Sequence, residues 1–298
     1  MKINWLWFAC CCFVAAGPCL AADVGTVTLL DGKPRLLRGT AWLSLVEGVR
    51  IREGDVVDVP EKAQFQIELT DGGALGLIGP GALYVAAATP GDPRQRASDE
   101  FWLTRGWLKF DTKAPGTRLR IRSSPGTITA SDGAAVMRIA GDVIEVFVET
   151  GSARVAEGAS GEVKAGGFAS RSAGKPFTYA ERAPSTFVAA LPRDFMDPLP
   201  LRVARFATAR EPVPDREATY PEVQAWLTGP YRAAFVKRFE PKLADPSFRA
   251  AAEANSKVTP EWTAVAPPKA PEPPPKEEKQ EKKEPEKTWH WPWERSTK

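Results

Sequence analysis

The sequence predicts a mainly β fold, a sandwich, barrel or short β-solenoid-like arrangement, followed by a small helical domain and a tail that builds no core. Three observations carry this. Between residues 23 and 178 apolar and polar side chains alternate with period two, and turn residues interrupt the runs about every 8–12 residues. Residues 185–265 change to apolar spacings of three and four. Residues 266–298 are dominated by Pro, Lys and Glu and end in a tryptophan cluster.

The first 22 residues read as an export signal. One early Lys2 precedes an apolar run from Trp5 to Ala16, a Gly17-Pro18 break and the small residues Ala21-Ala22. The run is too short for the ~20 residues that a membrane-spanning helix needs. The expectation is a periplasmic, envelope-associated protein with no transmembrane span in the mature chain. Cys10, Cys11, Cys12 and Cys19 all lie in this leader, and the single histidine is His290. Pro18 before Cys19 fits a lipidation signal poorly. The remaining chain excludes Ser-His-Asp and Cys-His nucleophiles, Cys/His zinc sites and core disulfides, so no metal or cofactor is expected. A net charge of +3 gives no reason to expect a nucleic-acid partner.

The β-region, residues 23–178, supplies strands in order. Val24–Leu30 leads into Asp31-Gly32; Phe65–Leu69 alternates and breaks at Asp71-Gly72-Gly73; Ala74–Ile78 ends at Gly79-Pro80-Gly81. Arg118–Arg122 alternates cleanly, and Val143–Val148 is rich in strand formers. Asp132-Gly133, Gly141-Asp142 and Thr150-Gly151 read as punctuation. Residues 23–88 and 101–170 repeat a similar strand–turn–strand order.

These residues resemble a known family. Glu47-Gly48-Val49-Arg50-Ile51-Arg52-Glu53-Gly54-Asp55-Val56-Val57 is similar to the opening of the FecR domain. Phe65 to Val85 resembles that family's strand–Asp-Gly–strand core. Ser124-Pro125-Gly126-Thr127, Asp132-Gly133-Ala134 and Val146–Gly151 resemble its second half. The likeness covers about half of the chain. It implies a β-rich periplasmic module that binds other proteins or envelope components. Signalling members place a cytoplasmic anti-sigma segment and a membrane helix before this module. Here the β-region follows the leader directly, so the expectation is the binding module alone.

Candidate sites are few. Asp31, Asp71 and Asp132 could supply the paired carboxylates of a glycan hydrolase, but each precedes Gly and reads as a turn residue. Asp55 reads as an Asx-type turn. Ala169–Lys175 misses the phosphate-loop pattern at its first glycine, and Pro176 stands where Ser or Thr is required. Arg118, Arg120 and Arg122 share one face of a strand, opposite Leu119 and Ile121. That stripe suits an anionic glycan, a lipid headgroup or a carboxylate-rich partner; a solvated sheet face is the plainer reading. Trp42, Trp102 and Trp107 suit a core better than a sugar platform.

In the helical domain, residues 185–265, Pro192, Pro198 and Pro200 make an irregular crossing. Thr219 then caps a helix with Pro221 in its first turn and Gly229 past its end. Tyr231, Phe235 and Phe239 recur every fourth residue in a second helix, and Asp245-Pro246 opens a third. The tail is an extended tether carrying Trp289, Trp291 and Trp293, a hook for a partner groove, for a membrane interface or for the protein's own β-domain. The sequence thus points to an exported, non-enzymatic interaction module with an envelope protein as partner. A peptidoglycan or polysaccharide binder is the alternative.

Overall fold

The computed structural model describes residues 21–86, 100–112, 118–157 and 159–264. The described chain is mostly β, with a small helical part at its C-terminal end. The strands form one continuous hydrogen-bonded sheet that folds over on itself into two layers.

In the first layer, β1 (Asp23–Asp31) lies between β4 (Arg50–Arg52) and β6 (Gln64–Leu69). The chain turns at Asp71-Gly72 into β7 (Gly73–Ile78), which pairs with β10 (Gly106–Thr112). The second layer holds β2 (Arg35–Arg38), β3 (Ala41–Ser44), β5 (Val56–Val59), β8 (Gly81–Val85), β9 (Glu100–Leu103) and β11 (Arg118–Ser123). Its pairs are antiparallel except for β9 with β11, which run parallel.

Two strands of 15 residues, β12 (Gly126–Ala140) and β13 (Val143–Glu157), belong to both layers. The first half of β12 pairs with β11 and its second half with β10. β13 follows β12 along its length after the two-residue Gly141-Asp142 turn. It carries β15 (Phe168–Ser172) and then β16 (Thr178–Ala180) on one half, and β14 (Ala159–Lys164) on the other. Core-facing side chains of β12 are Ile128 and Ala130, then Ala135, Met137 and Ile139; those of β13 are Ile144, Val146 and Val148, then Ala153 and Val155. The parity of the inward positions flips once in each strand. The flip sits at a bulge where Gly133 faces Gly151. Both have positive φ, 150° and 72°, and a Cβ on Gly133 would lie 2.1 Å from the Thr150 carbonyl oxygen. Asp132-Gly133 and Thr150-Gly151 therefore do not end strands, contrary to the sequence reading. They bend two long strands from one layer to the other.

The alternation of each strand sorts side chains between three clusters. The main core lies between the layers, with Val27, Phe65, Leu77 and Leu108 from one and Leu36, Val57, Leu83 and Phe101 from the other. The outer face of the first layer carries Ala74, Val136 and Phe168, covered by Phe187, Phe195 and Leu199. These come from a strap that begins with α1 (Ser185–Ala190) and continues through single 3-10 turns at Arg193–Phe195 and Val203–Arg205. Buried polar groups hold the strap by its backbone. The Lys109 ammonium, 1% exposed, pairs with Glu149 at 2.7 Å and donates to the carbonyls of Phe195 (2.9 Å) and Asp197 (3.0 Å). Gln66 donates to the Pro200 carbonyl at 2.7 Å, and the Glu68 carboxylate accepts from the amides of Arg202 and Val203. The chain then meets Val49 through Arg210 and adds β17 (Val213–Glu217) to the free side of β3. No sequence signal announced that strand, which holds Pro214 and three charged residues.

The helices cover the outer face of the second layer, where Leu37, Trp42, Val56 and Tyr84 point outward. They are α2 (Tyr220–Thr228), α3 (Arg232–Phe239) and α4 (Pro246–Ala254). Thr219 donates its amide to Glu222 at 3.0 Å, and Asp245 accepts from the amide of Ser247 at 2.9 Å, so the capping residues read from the sequence start their helices. Phe235 stacks on Trp226 at 5.3 Å and lies 5.1 Å from Tyr84. Among the described residues no helix is long and apolar enough to cross a membrane.

Candidate interaction surface

The arginine stripe sits on β11 as its alternation requires. Leu119 and Ile121 are buried in the main core. Arg120 and Arg122 face outward, and β9 places Glu100 beside Arg120 and Trp102 beside Arg122 on the same face. Glu100 receives Arg122 Nη1 at 3.1 Å and Arg120 Nη1 at 3.5 Å. It also accepts from the Tyr231 hydroxyl at the N-terminus of α3. Tyr231 packs against Tyr84 at 4.9 Å and Trp102 at 5.9 Å. Burial would raise the Glu100 pKa, but the Tyr231 hydroxyl and the Arg122 guanidinium outweigh it and hold the carboxyl below its ordinary value. Burial, reinforced by the Glu100 charge, pushes the Tyr231 hydroxyl well above its ordinary value. The cluster ties the helices to the sheet, and two guanidiniums share one carboxylate. The side chain of Arg118 lies outside the described residues, as do Trp289, Trp291, Trp293 and His290.

The candidate carboxylates occupy separate places. Asp31 ends β1 before Gly32, whose φ is 78°. Asp71 accepts from the amide of Gly73 at 3.3 Å within its own turn. Asp132 belongs to the β12 bulge, not to a hairpin turn. Asp55 does more than shape a turn. Its carboxylate is buried, accepts from the Arg52 amide at 2.8 Å and takes both arms of Arg38 at 2.7 and 3.0 Å. Asp71 and Asp55 each brace their own loop, at separate places in the fold.

The tryptophans divide. Trp42 is buried under the helices with the Arg35 guanidinium 4.4 Å from its ring. Trp102 and Trp107 are half-buried; Trp107 lies 5.2 Å from Phe187 and has Arg138 at 5.4 Å. A groove of about 390 Å³ runs between β14 and β16, lined by Val163, Lys164, Phe168, Tyr179 and Glu181.

Sequence reasoning passed over the strap. Val188, Met196, Leu201 and Val203 are its exposed apolar side chains, and with Tyr179 and Val213 of β17 they are the large exposed hydrophobics of the described chain. Phe187, Phe195 and Leu199 turn inward beside them. A signal was present: Pro198–Arg210 holds Arg202, Arg205 and Arg210 with no acidic residue, interleaved with Leu, Val and Phe.

No family model matches the chain, and no curated protein matches it. Two crystal structures of a "putative anti-sigma factor" from Parabacteroides distasonis ATCC 8503 are similar over part of the fold. They are 13% and 14% identical, each with a TM-score of 0.37 over 45% of this chain. The chain spans 63% and 62% of the length of those two proteins.

Proposed function

We propose that the chain is a non-catalytic binding module of the bacterial cell envelope, exported by its N-terminal segment and acting by docking another protein. The observation that carries this reading is the strap. It is fixed by buried groups beneath it, yet it presents Val188, Met196, Leu201 and Val203 outward. Scattered exposed apolar residues are ordinary, but their concentration on one braced segment suits an interface. The FecR-like motifs add to the reading, because that resemblance implies a periplasmic binding module. Arg120, Arg122, Asp55, Asp71 and Trp42 are engaged in bracing contacts, which favours a scaffold over a reaction centre.

Two measurements test the proposal. Cell fractionation should place the chain in the periplasmic or envelope fraction; recovery in the cytosol would overturn the exported part. A photo-crosslinking residue at Val203 should trap a specific envelope protein in living cells, while the same residue at Lys62, in the turn before β6, should not.

A further inference from the structure

Resting on that reading, the structure assigns the partner's chemistry: we infer that the strap between Met196 and Arg210 docks an acidic amphipathic segment of another protein. Met196, Leu201 and Val203 are 58%, 54% and 42% exposed. Between them and after them stand Arg202, Arg205 and Arg210, and none of these guanidiniums forms an ion pair with a described residue. The 3-10 turn at Val203–Arg205 is closed by the Arg205 amide on the Arg202 carbonyl at 2.9 Å. Arg202 is the N-cap of that turn and Arg205 its last residue, so the turn carries a guanidinium at each end. Beneath them the Glu68 carboxylate is spent on the backbone amides of Arg202 and Val203. It fixes the strap without neutralising the guanidiniums by direct contact. Apart from the exposed Asp197 beside Met196, the strip carries no acidic residue, and it therefore offers positive charge beside apolar area on a backbone already ordered.

The choice of a protein over a lipid surface follows from residue type. No lysine occurs between Lys175 and Lys237. Arginine and methionine are enriched at protein interfaces and lysine is depleted there, and the guanidinium fork matches a carboxylate in two parallel hydrogen bonds. A polybasic surface for anionic lipid has no reason to avoid lysine.

The test uses the full chain and a fluorescein-labelled peptide in which Asp and Glu are interleaved with Leu and Phe. Its Asn/Gln counterpart serves as control, and phosphatidylglycerol/phosphatidylcholine vesicles are a separate arm. The acidic peptide should bind and its counterpart should not. Binding should weaken with added salt, and it should fall about tenfold in the Arg202→Gln/Arg205→Gln/Arg210→Gln protein, whose circular dichroism should match the parent. Met196→Ser should weaken binding without changing the salt dependence. No binding of the acidic peptide, or equal affinity in the triple variant, overturns the inference. Vesicle binding that depends on the same arginines, without peptide binding, replaces it with a membrane surface. An envelope partner that still crosslinks at Val203 in the triple variant leaves the binding-module reading standing and overturns the acidic partner chemistry inferred here.

Discussion

Lys109 shows how a single buried charge organises this protein. Its ammonium is almost fully enclosed and distributes its donors between Glu149 and two strap carbonyls. Removing one partner of such a group leaves acceptors without donors in a poorly solvated place. Lys109→Met should therefore destabilise the chain by about 2–4 kcal/mol in urea unfolding, and proteolysis should begin at the strap. A loss below about 0.5 kcal/mol would mean that the network contributes nothing net. Glu222 gives a pH signature. The Arg216 guanidinium, with help from the Thr219 amide and hydroxyl and against some burial, holds its carboxyl at about 2, below the usual 4.5. Its contribution to stability is complete above the unfolded-state value and is lost as pH falls toward the folded one. The stability gap between the parent and Glu222→Gln should shrink steadily from pH 5 to pH 2. A gap that stays constant would contradict the assignment. Residues of this kind differ in how far a sequence exposes them. Asp71 and Thr219 act on neighbours two or three positions away, so their roles are legible from local spacing. Lys109 and Glu149 are separated by 40 positions and no pattern in the chain links them. Asp55 was legible as a turn residue but not as the partner of Arg38.

At the scale of elements, alternation located the strands because every buried strand face needs it, and capping residues located the helix starts because orphan amides need acceptors. The errors came where one requirement serves two structures. A glycine with positive φ suits a hairpin turn and a bulge alike, so Asp132-Gly133 and Thr150-Gly151 were legible as special but not as continuous strand. β17 was missed for the opposite reason. Its pairing is decided by β3, which lies far away in sequence, while its own residues are polar, exposed and interrupted by Pro214. Arg120 and Arg122 lie on the face that alternation assigned to them, yet Tyr231, which joins their cluster at Glu100, comes from a helix that no local rule connects to it. Two substitutions test these elements. Gly133→Ala forces a Cβ onto the Thr150 carbonyl and should cost about 2–4 kcal/mol, because the bulge cannot relax without moving both layers. Thr219→Ala should cost about 1 kcal/mol by loosening the start of α2. If Gly133→Ala were the milder of the two in thermal unfolding, the bulge would not be the hinge described here.

The described chain is a folded sheet whose two outer faces each carry an apolar patch, and the C-terminal third of the chain covers both. The strap closes one face with Phe187, Phe195 and Leu199. The helices close the other with Trp226, Phe235 and Phe239. A chain truncated after residue 182 should leave Phe168 and Val136 open on one side and Trp42 and Tyr84 on the other. It should bind a hydrophobic dye strongly and self-associate, whereas the full chain should do neither; a well-behaved monomer would show that the sheet is self-sufficient. This wrapping was the least legible feature, since it depends on where the crossing segment lands and not on any pattern within it.

The shared strands have one more consequence. Because β12 and β13 pass unbroken between the two layers, the layers are not separate leaves held by grease alone; they are two pages joined along a spine. Pulling them apart would tear a ladder from its middle, so neither page can open alone to admit a guest between them. A partner of the module proposed above would therefore meet the covers, and the strap is the cover that sets arginines beside exposed apolar side chains.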